Sequence, residues 1–111
     1  MIPSPGLAVD ATPVDATPVV SVIVPTYNVA PWLPETLDSL RRQTLTEWEA
    51  ICVDDGSTDG SLAILRDHAA SDARLRIVVQ ENRGVAAARN KGGRHARGEF
   101  LCFLDADDVL A

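Results

Sequence analysis

Four short apolar runs, each separated from the next by a stretch of helical periodicity, constrain this chain more than any other feature of it. The first, Val19 to Val24, is rich in β-branched residues and is stopped by Pro25, as suits a strand buried on both faces. The second runs from Trp48 to Val53 and ends at Asp54 and Asp55; the third is Leu75 to Val79; the fourth, Phe100 to Leu104, ends at Asp105. Between them Leu33, Leu37 and Leu40 repeat at helical spacing, giving a helix to about Gln43 whose first turn tolerates Pro31 and Pro34. Leu62, Leu65 and Ala69 mark a second helix, and Val85, Ala88, Gly92 and Ala96 a third that Gly92 and Gly93 weaken. The order β-α-β-α-β-α-β predicts an α/β fold: an open, mostly parallel sheet with flanking helices and right-handed crossovers.

The residues before this pattern have a different texture. Residues 1–18 are rich in Pro and Ala and carry a tandem pentapeptide, Asp10 to Val14 and Asp15 to Val19, with no helical or alternating pattern. They read as a flexible leader to a domain at 19–111. The leader lacks the basic start and continuous apolar stretch of an export signal. No apolar run approaches the roughly 18 residues needed to span a bilayer. The formal net charge of -6 argues against a nucleic-acid partner, which calls for a basic surplus. The charge is nonetheless segregated: Arg74 to Gly98 holds seven Lys or Arg against one Glu.

Open parallel sheets bind ligands at the carboxyl ends of their strands, beside a switch in strand order. Three of the four expected strands end in polar clusters there: Thr26-Tyr27-Asn28, Asp54-Asp55, and Asp105-Ala106-Asp107-Asp108. Spacing i, i+2 on an extended stretch sends Asp105 and Asp107 the same way. Hard cations such as Mg²⁺ and Mn²⁺ favour such oxygen ligands, completed by phosphates and waters. The competing reading makes these aspartates helix caps or solvated turn residues.

Other motifs carry less. Asp55, Ser57, Asp59 and Gly60 match the first half of a calcium loop, but position twelve is Arg66 in place of a bidentate Glu, so that reading fails. What remains is a turn and helix start, where Asp59 can cap and Asp55 can accept hydrogen bonds from a base or ribose. Among Arg83, Arg89, Lys91, Arg94 and Arg97, most read as solvated surface charge. Arg89 stands apart as able to meet a phosphate or hold an aspartate. Cys52 and Cys102 read as buried thiols, and His68 and His95 as surface side chains.

Taken together, four blocks resemble the N-terminal half of inverting family 2 glycosyltransferases, which have the GT-A nucleotide-sugar-binding fold. They are Val20 to Asn28, Val53 to Asp59, Asn82 to Asn90, and Phe103 to Asp108, and they span most of the chain in the family's order. The resemblance implies that Pro25, Thr26 and Tyr27 flank a nucleotide, that Asp55 reads its base, and that Arg89 helps line the donor pocket. It implies that Asp105 and Asp107 form the Asp-x-Asp pair, with Asp107 the direct ligand of a divalent metal (Mn or Mg) and Asp105 nearer the ribose or the metal's water shell. It also implies that the first and fourth strands adjoin.

The implied reaction moves a sugar from a nucleoside diphosphate sugar, expected to be a UDP-sugar, to a hydroxyl of an acceptor glycan or lipid-linked glycan, with inversion, in polysaccharide or glycoconjugate synthesis. The metal would steady the departing diphosphate. The family's catalytic base is a carboxylate well past the Asp-x-Asp block and is expected beyond Ala111. No residue here is assigned that role, and the 111 residues are expected to be inactive alone. Placement is expected to be cytoplasmic, with membrane association open to a longer form. The fourth strand should be an edge whose apolar side chains leave the isolated chain marginal or aggregation-prone. Two rivals stand beside this reading: a receiver-like signalling module holding Mg²⁺ beside a phosphorylated aspartate, and a catalytically dead nucleotide-binding fragment.

Overall fold

The computed structural model describes residues 18–44 and 46–106. The expected leader apart from Pro18 lies outside the described residues, as do Asp107, Asp108 and Ala111, past which the catalytic base is expected. Within them all seven expected elements form: β1 (Val20–Thr26), α1 (Leu33–Arg41), β2 (Trp48–Asp54), α2 (Ser61–Ser71), β3 (Leu75–Val79), α3 (Val85–His95) and β4 (Phe100–Phe103). Every pairing is parallel, and the strand order is β3-β2-β1-β4. The α/β fold class and the adjacency of first and fourth strands are as expected, with Val20 opposite Phe100 and Ile23 opposite Phe103.

This order dictates which face each helix covers. The chain steps outward from β1 to β2 to β3, so two right-handed crossovers place α1 and α2 on one face. It then returns across the sheet to β4, which puts α3 on the other. Strand alternation matches: Val22, Val24, Ala50 and Cys52 pack with Leu33, Leu37, Leu40 and Leu65, whereas Ile23, Ile51 and Val53 pack with Ala88. Fully burying one such Leu or Ile side chain contributes about 1.5–3 kcal/mol.

On the α3 face, fit depends on a missing side chain. A Cβ at Gly92 would lie 2.4 Å from Cγ2 of Ile23, whose side chain is completely buried. The glycine that lowers helix propensity is therefore what lets α3 settle on the sheet.

The first strand runs longer than expected, through Pro25 to Thr26. A proline lacks only its own N–H, so it is harmless where no ladder partner waits. Ile23 O accepts from Leu104 N on the β4 side, and Thr26 O accepts from Asp55 N on the β2 side. Alternation turns Pro25 toward β4, whose pairing has already ended at Ile23.

At the amino end of the strands lies a buried carboxylate. Glu49 accepts from Ser21 Oγ at 2.6 Å, Arg97 N at 2.7 Å, Arg76 Nη1 at 2.9 Å and Arg97 Nε at 3.2 Å. Burial pushes its carboxyl up, but these donors outweigh burial and hold it below its ordinary value. Arg97, expected as solvated charge, instead anchors the turn between α3 and β4. At the edge of the sheet, β4 leaves Phe100, Leu101 and Phe103 each more than half exposed.

Candidate functional site

A cleft of about 400 Å³ opens at the carboxyl ends of the strands, beside the switch in order between β1 and β4. Pro25, Thr26, Tyr27, Asp55 and Asp105 line it, and the start of α3 at Gly84 and Val85 closes one side. Five of the seven site residues expected from sequence thus share one cavity. Arg89 reaches it through a partner: its Nη2 donates to Asp105 Oδ1 at 3.3 Å. Arg89 Nε is buried without a partner among the described residues. Asp107 lies outside them.

Asp55 is the most tightly held of these groups. It is 4% exposed, and Oδ1 accepts from Gln80 Nε2 at 2.7 Å and Arg83 N at 2.8 Å, while Oδ2 accepts from Gly84 N at 3.0 Å. Burial raises its proton affinity, yet the three donors together keep it below the ordinary carboxylate value, so it is ionised at neutral pH. Gly84, at φ 97°, supplies the turn that aims two successive N–H groups at one carboxylate. A carboxylate offers about four acceptor sites, so three protein donors leave roughly one for a ligand.

Tyr27 is half-exposed at the cleft, and the loop that carries it is tied to the next loop. Asn28, at φ 52°, accepts on Oδ1 from Thr58 N at 2.8 Å and Asp59 N at 3.2 Å, and its own N donates to Ser57 Oγ at 3.1 Å. Val29 N donates to Ser61 Oγ, and Ala30 N to Asp59 Oδ2. The block resembling a calcium loop therefore spends its oxygens on backbone N–H groups, and Arg66 points to solvent. Asp59 Oδ1 also accepts from Ser61 N, although Gly60 occupies the N-cap position itself. Asp105 is positioned from both sides: Leu104 N donates to Ile23 O, and Thr36 Oγ1 on α1 donates to Ala106 O at 2.7 Å.

Among the described residues no three His, Cys, Asp or Glu side chains converge as a metal-ligating group. The donor chemistry still fits a hard cation: Asp105 offers oxygen at the cleft edge, and a site of one or two carboxylates completed by phosphate and water suits Mg²⁺ or Mn²⁺. Cys52 and Cys102 share no site, because β1 lies between their strands. Burial pushes the Cys52 thiol up to about 12, whereas Cys102, expected buried, is half-buried because its strand is the sheet's edge. His95 is exposed, whereas His68 is half-buried between α1 and α2, 3.5 Å from Asp38. A receiver-like pocket calls for a Lys from a later strand end, and Lys91, the one Lys of the sequence, lies within α3 and is not in the cleft wall.

The donors around Asp55 and the Asn28 tie went unseen in the sequence. Asn82-Arg83-Gly84 signals a turn, but nothing local says which carboxylate it faces.

Fold and cleft define an α/β protein with an open cleft at the carboxyl rim of a parallel sheet. The chain belongs to glycosyl transferase family 2, whose family model matches residues 21–111. It is 49% identical over 94 residues to the uncharacterized glycosyltransferase EpsJ of Bacillus subtilis (strain 168), covering 85% of this chain and 27% of that one. Among solved structures, S. aureus TarS 1-349 aligns at TM-score 0.76 and 37% identity, over 82% of this chain and 28% of that one. The same protein in complex with UDP-GlcNAc aligns at 0.71. The mannosyltransferase PcManGT from Pyrobaculum calidifontis, in complex with GDP-Man and Mn²⁺, aligns at 0.74 and 39% identity, over 86% of this chain and 29% of that one. The chain thus spans between a quarter and a third of the length of these relatives.

Proposed function

We propose that this chain forms the donor-binding part of a glycosyltransferase that moves a sugar from a nucleoside diphosphate sugar to an acceptor hydroxyl with inversion. The observation that carries this reading is the meeting of Tyr27, Asp55 and Asp105 in one cleft at the strand-order switch. UDP-GlcNAc and GDP-Man in the similar proteins support a nucleotide sugar as the ligand. In this reading Tyr27 and Pro25 flank the base, ionised Asp55 accepts its remaining hydrogen bond from the base, and Asp105 faces the ribose. Arg89 holds Asp105 in place. Asp105 and Asp107 would hold a divalent metal, which would supply positive charge to the leaving diphosphate. The carboxylate that activates the acceptor hydroxyl belongs to sequence beyond Ala111. The acceptor is a glycan or lipid-linked glycan of polysaccharide or glycoconjugate synthesis, and the reaction takes place in the cytoplasm. Among the described residues no helix is long and apolar enough to cross a membrane. The domain boundary falls near Val19, with 1–18 as its leader, and the segment alone does not turn over.

Calorimetric titration of UDP with and without Mn²⁺ tests the site. Binding that strengthens with Mn²⁺ and loses this gain in Asp107→Ala is expected. Binding indifferent to Mn²⁺ in both proteins contradicts the metal assignment, and no UDP binding at all contradicts the site.

A further inference from the structure

The donor cleft uses little of the basic stretch that the sequence concentrates between Arg74 and Gly98. Of the ten Lys and Arg residues in the chain, Arg41, Arg74, Arg76, Arg89 and Arg97 face carboxylates. Arg83, Lys91 and Arg94 face none among the described residues, and they gather in one place. Together with Gln80, Ala87 and Asn90 they line a second concavity of about 380 Å³ along the outer side of α3. Among the described residues no carboxylate is in its wall. In a chain with a formal net charge of -6, three cations without an ion-pair partner among the described residues around one hollow favour an anion there.

Ordinary solvated helix charge would be dispersed and interleaved with acids, as Arg41 and Asp38 are on α1. Here Lys91 and Arg94 stand one turn apart on α3, Arg83 approaches from the preceding loop, and the Asn90 amide adds a neutral donor. Two guanidinium groups and an ammonium around a hollow suit an anion with several oxygens, above all phosphate. A concave wall favours a small multiply charged ligand over a flat lipid surface.

We infer that the groove formed by Arg83, Asn90, Lys91 and Arg94 is a second anion site, selective for phosphate-bearing polyanions and separate from the donor cleft. No residue lines both, but hydrogen bonds to Asp55 link the two. Gln80 lines the groove while its Nε2 donates to Asp55, and Arg83 lines it while its backbone N donates to the same carboxylate. An occupant drawing on Gln80 or Arg83 therefore acts on the group that holds the cleft's most buried charge. The site itself stands whether or not the cleft takes a nucleotide sugar.

Titration of the chain with inorganic tripolyphosphate, without nucleotide or metal, tests this. Lys91→Ala with Arg94→Ala should weaken binding on the order of a hundredfold, about tenfold for each charge-assisted hydrogen bond removed. Arg42→Ala with Arg66→Ala, an equal loss of two charges outside the groove, and Tyr27→Ala, in the donor cleft, should leave it unchanged. Asn90→Ala, which keeps every charge, should weaken it less than the Lys91 and Arg94 variant does. Absence of binding by the unaltered chain overturns the inference. So does equal weakening by Arg42→Ala with Arg66→Ala, which marks nonspecific attraction, or loss in Tyr27→Ala with none in the Lys91 and Arg94 variant, which places the anion in the cleft. Sedimentation with phosphatidylglycerol vesicles but not phosphatidylcholine vesicles, without uptake of soluble tripolyphosphate, overturns it in favour of a membrane surface.

Discussion

Gly92 and Gly93 are neighbours of one type with opposite roles. An alanine at either gains about 1 kcal/mol of helix propensity. At Gly92 the added methyl meets Ile23 Cγ2 at 2.4 Å inside a filled core, and overpacking of that kind costs about 1–3 kcal/mol. At Gly93 nothing lies within 4 Å. Gly92→Ala is therefore expected to lower Tm by several degrees and Gly93→Ala to raise it, which differential scanning calorimetry will show. Equal effects at the two positions would mean that α3 does not pack on Ile23 as described. Residue by residue, the cleft was partly legible: Thr26, Tyr27, Asp55 and Asp105 announce themselves by following apolar runs. Gln80, Arg83 and Gly84 do not, since they reach Asp55 from 25 to 29 positions away.

At the scale of elements, the seven strands and helices could be read because their periods differ and polar clusters punctuate them. The end of β1 could not. Whether Pro25 breaks a strand depends on which neighbour its missing N–H would face, and that is set by where β4 stops, far along the chain at Phe103. The Glu49 cluster was hidden for the same reason, being assembled from β1, β2, β3 and the turn after α3. It has a pH signature. The folded carboxyl lies below its ordinary value of 4.5, so the fold binds this proton less readily than the unfolded chain does. Its stabilisation is fully present above pH 4.5 and is lost as pH falls through the folded value. Asp55 and Asp72 are lowered from 3.8 and act in the same direction. Urea midpoints should thus be flat above about pH 5 and fall below it, and Glu49→Gln should lower the plateau and shrink the acid-limb drop. An unchanged acid limb in that variant would remove Glu49 as its source.

For the whole molecule, the margin of the sheet at β4 matters most. Phe100, Leu101 and Phe103 there present apolar surface beside backbone that has no strand partner on its outer side among the described residues, a combination that recruits other chains. The 111 residues by themselves are expected to unfold at low urea and to self-associate as concentration rises, measured by equilibrium denaturation and analytical ultracentrifugation. A monodisperse monomer with a single transition at high urea would contradict this. Phe103→Lys should reduce association without touching the cleft. The architecture is the part most fully written in the sequence, because alternation of strands and helices leaves few topologies. The charged groove on α3 is the part least written there, since a run of Arg and Lys says nothing about which of them will find carboxylates.

The account stands or falls on where a nucleotide sits. In a 15N-labelled sample titrated with UDP and Mn²⁺, backbone amide signals of Thr26, Tyr27, Asp55, Gly84 and Asp105 should shift together and saturate with one affinity. Shifts confined to the amino ends of the strands, around Ser21, Glu49 and Leu75, with the rim residues unmoved, would contradict it.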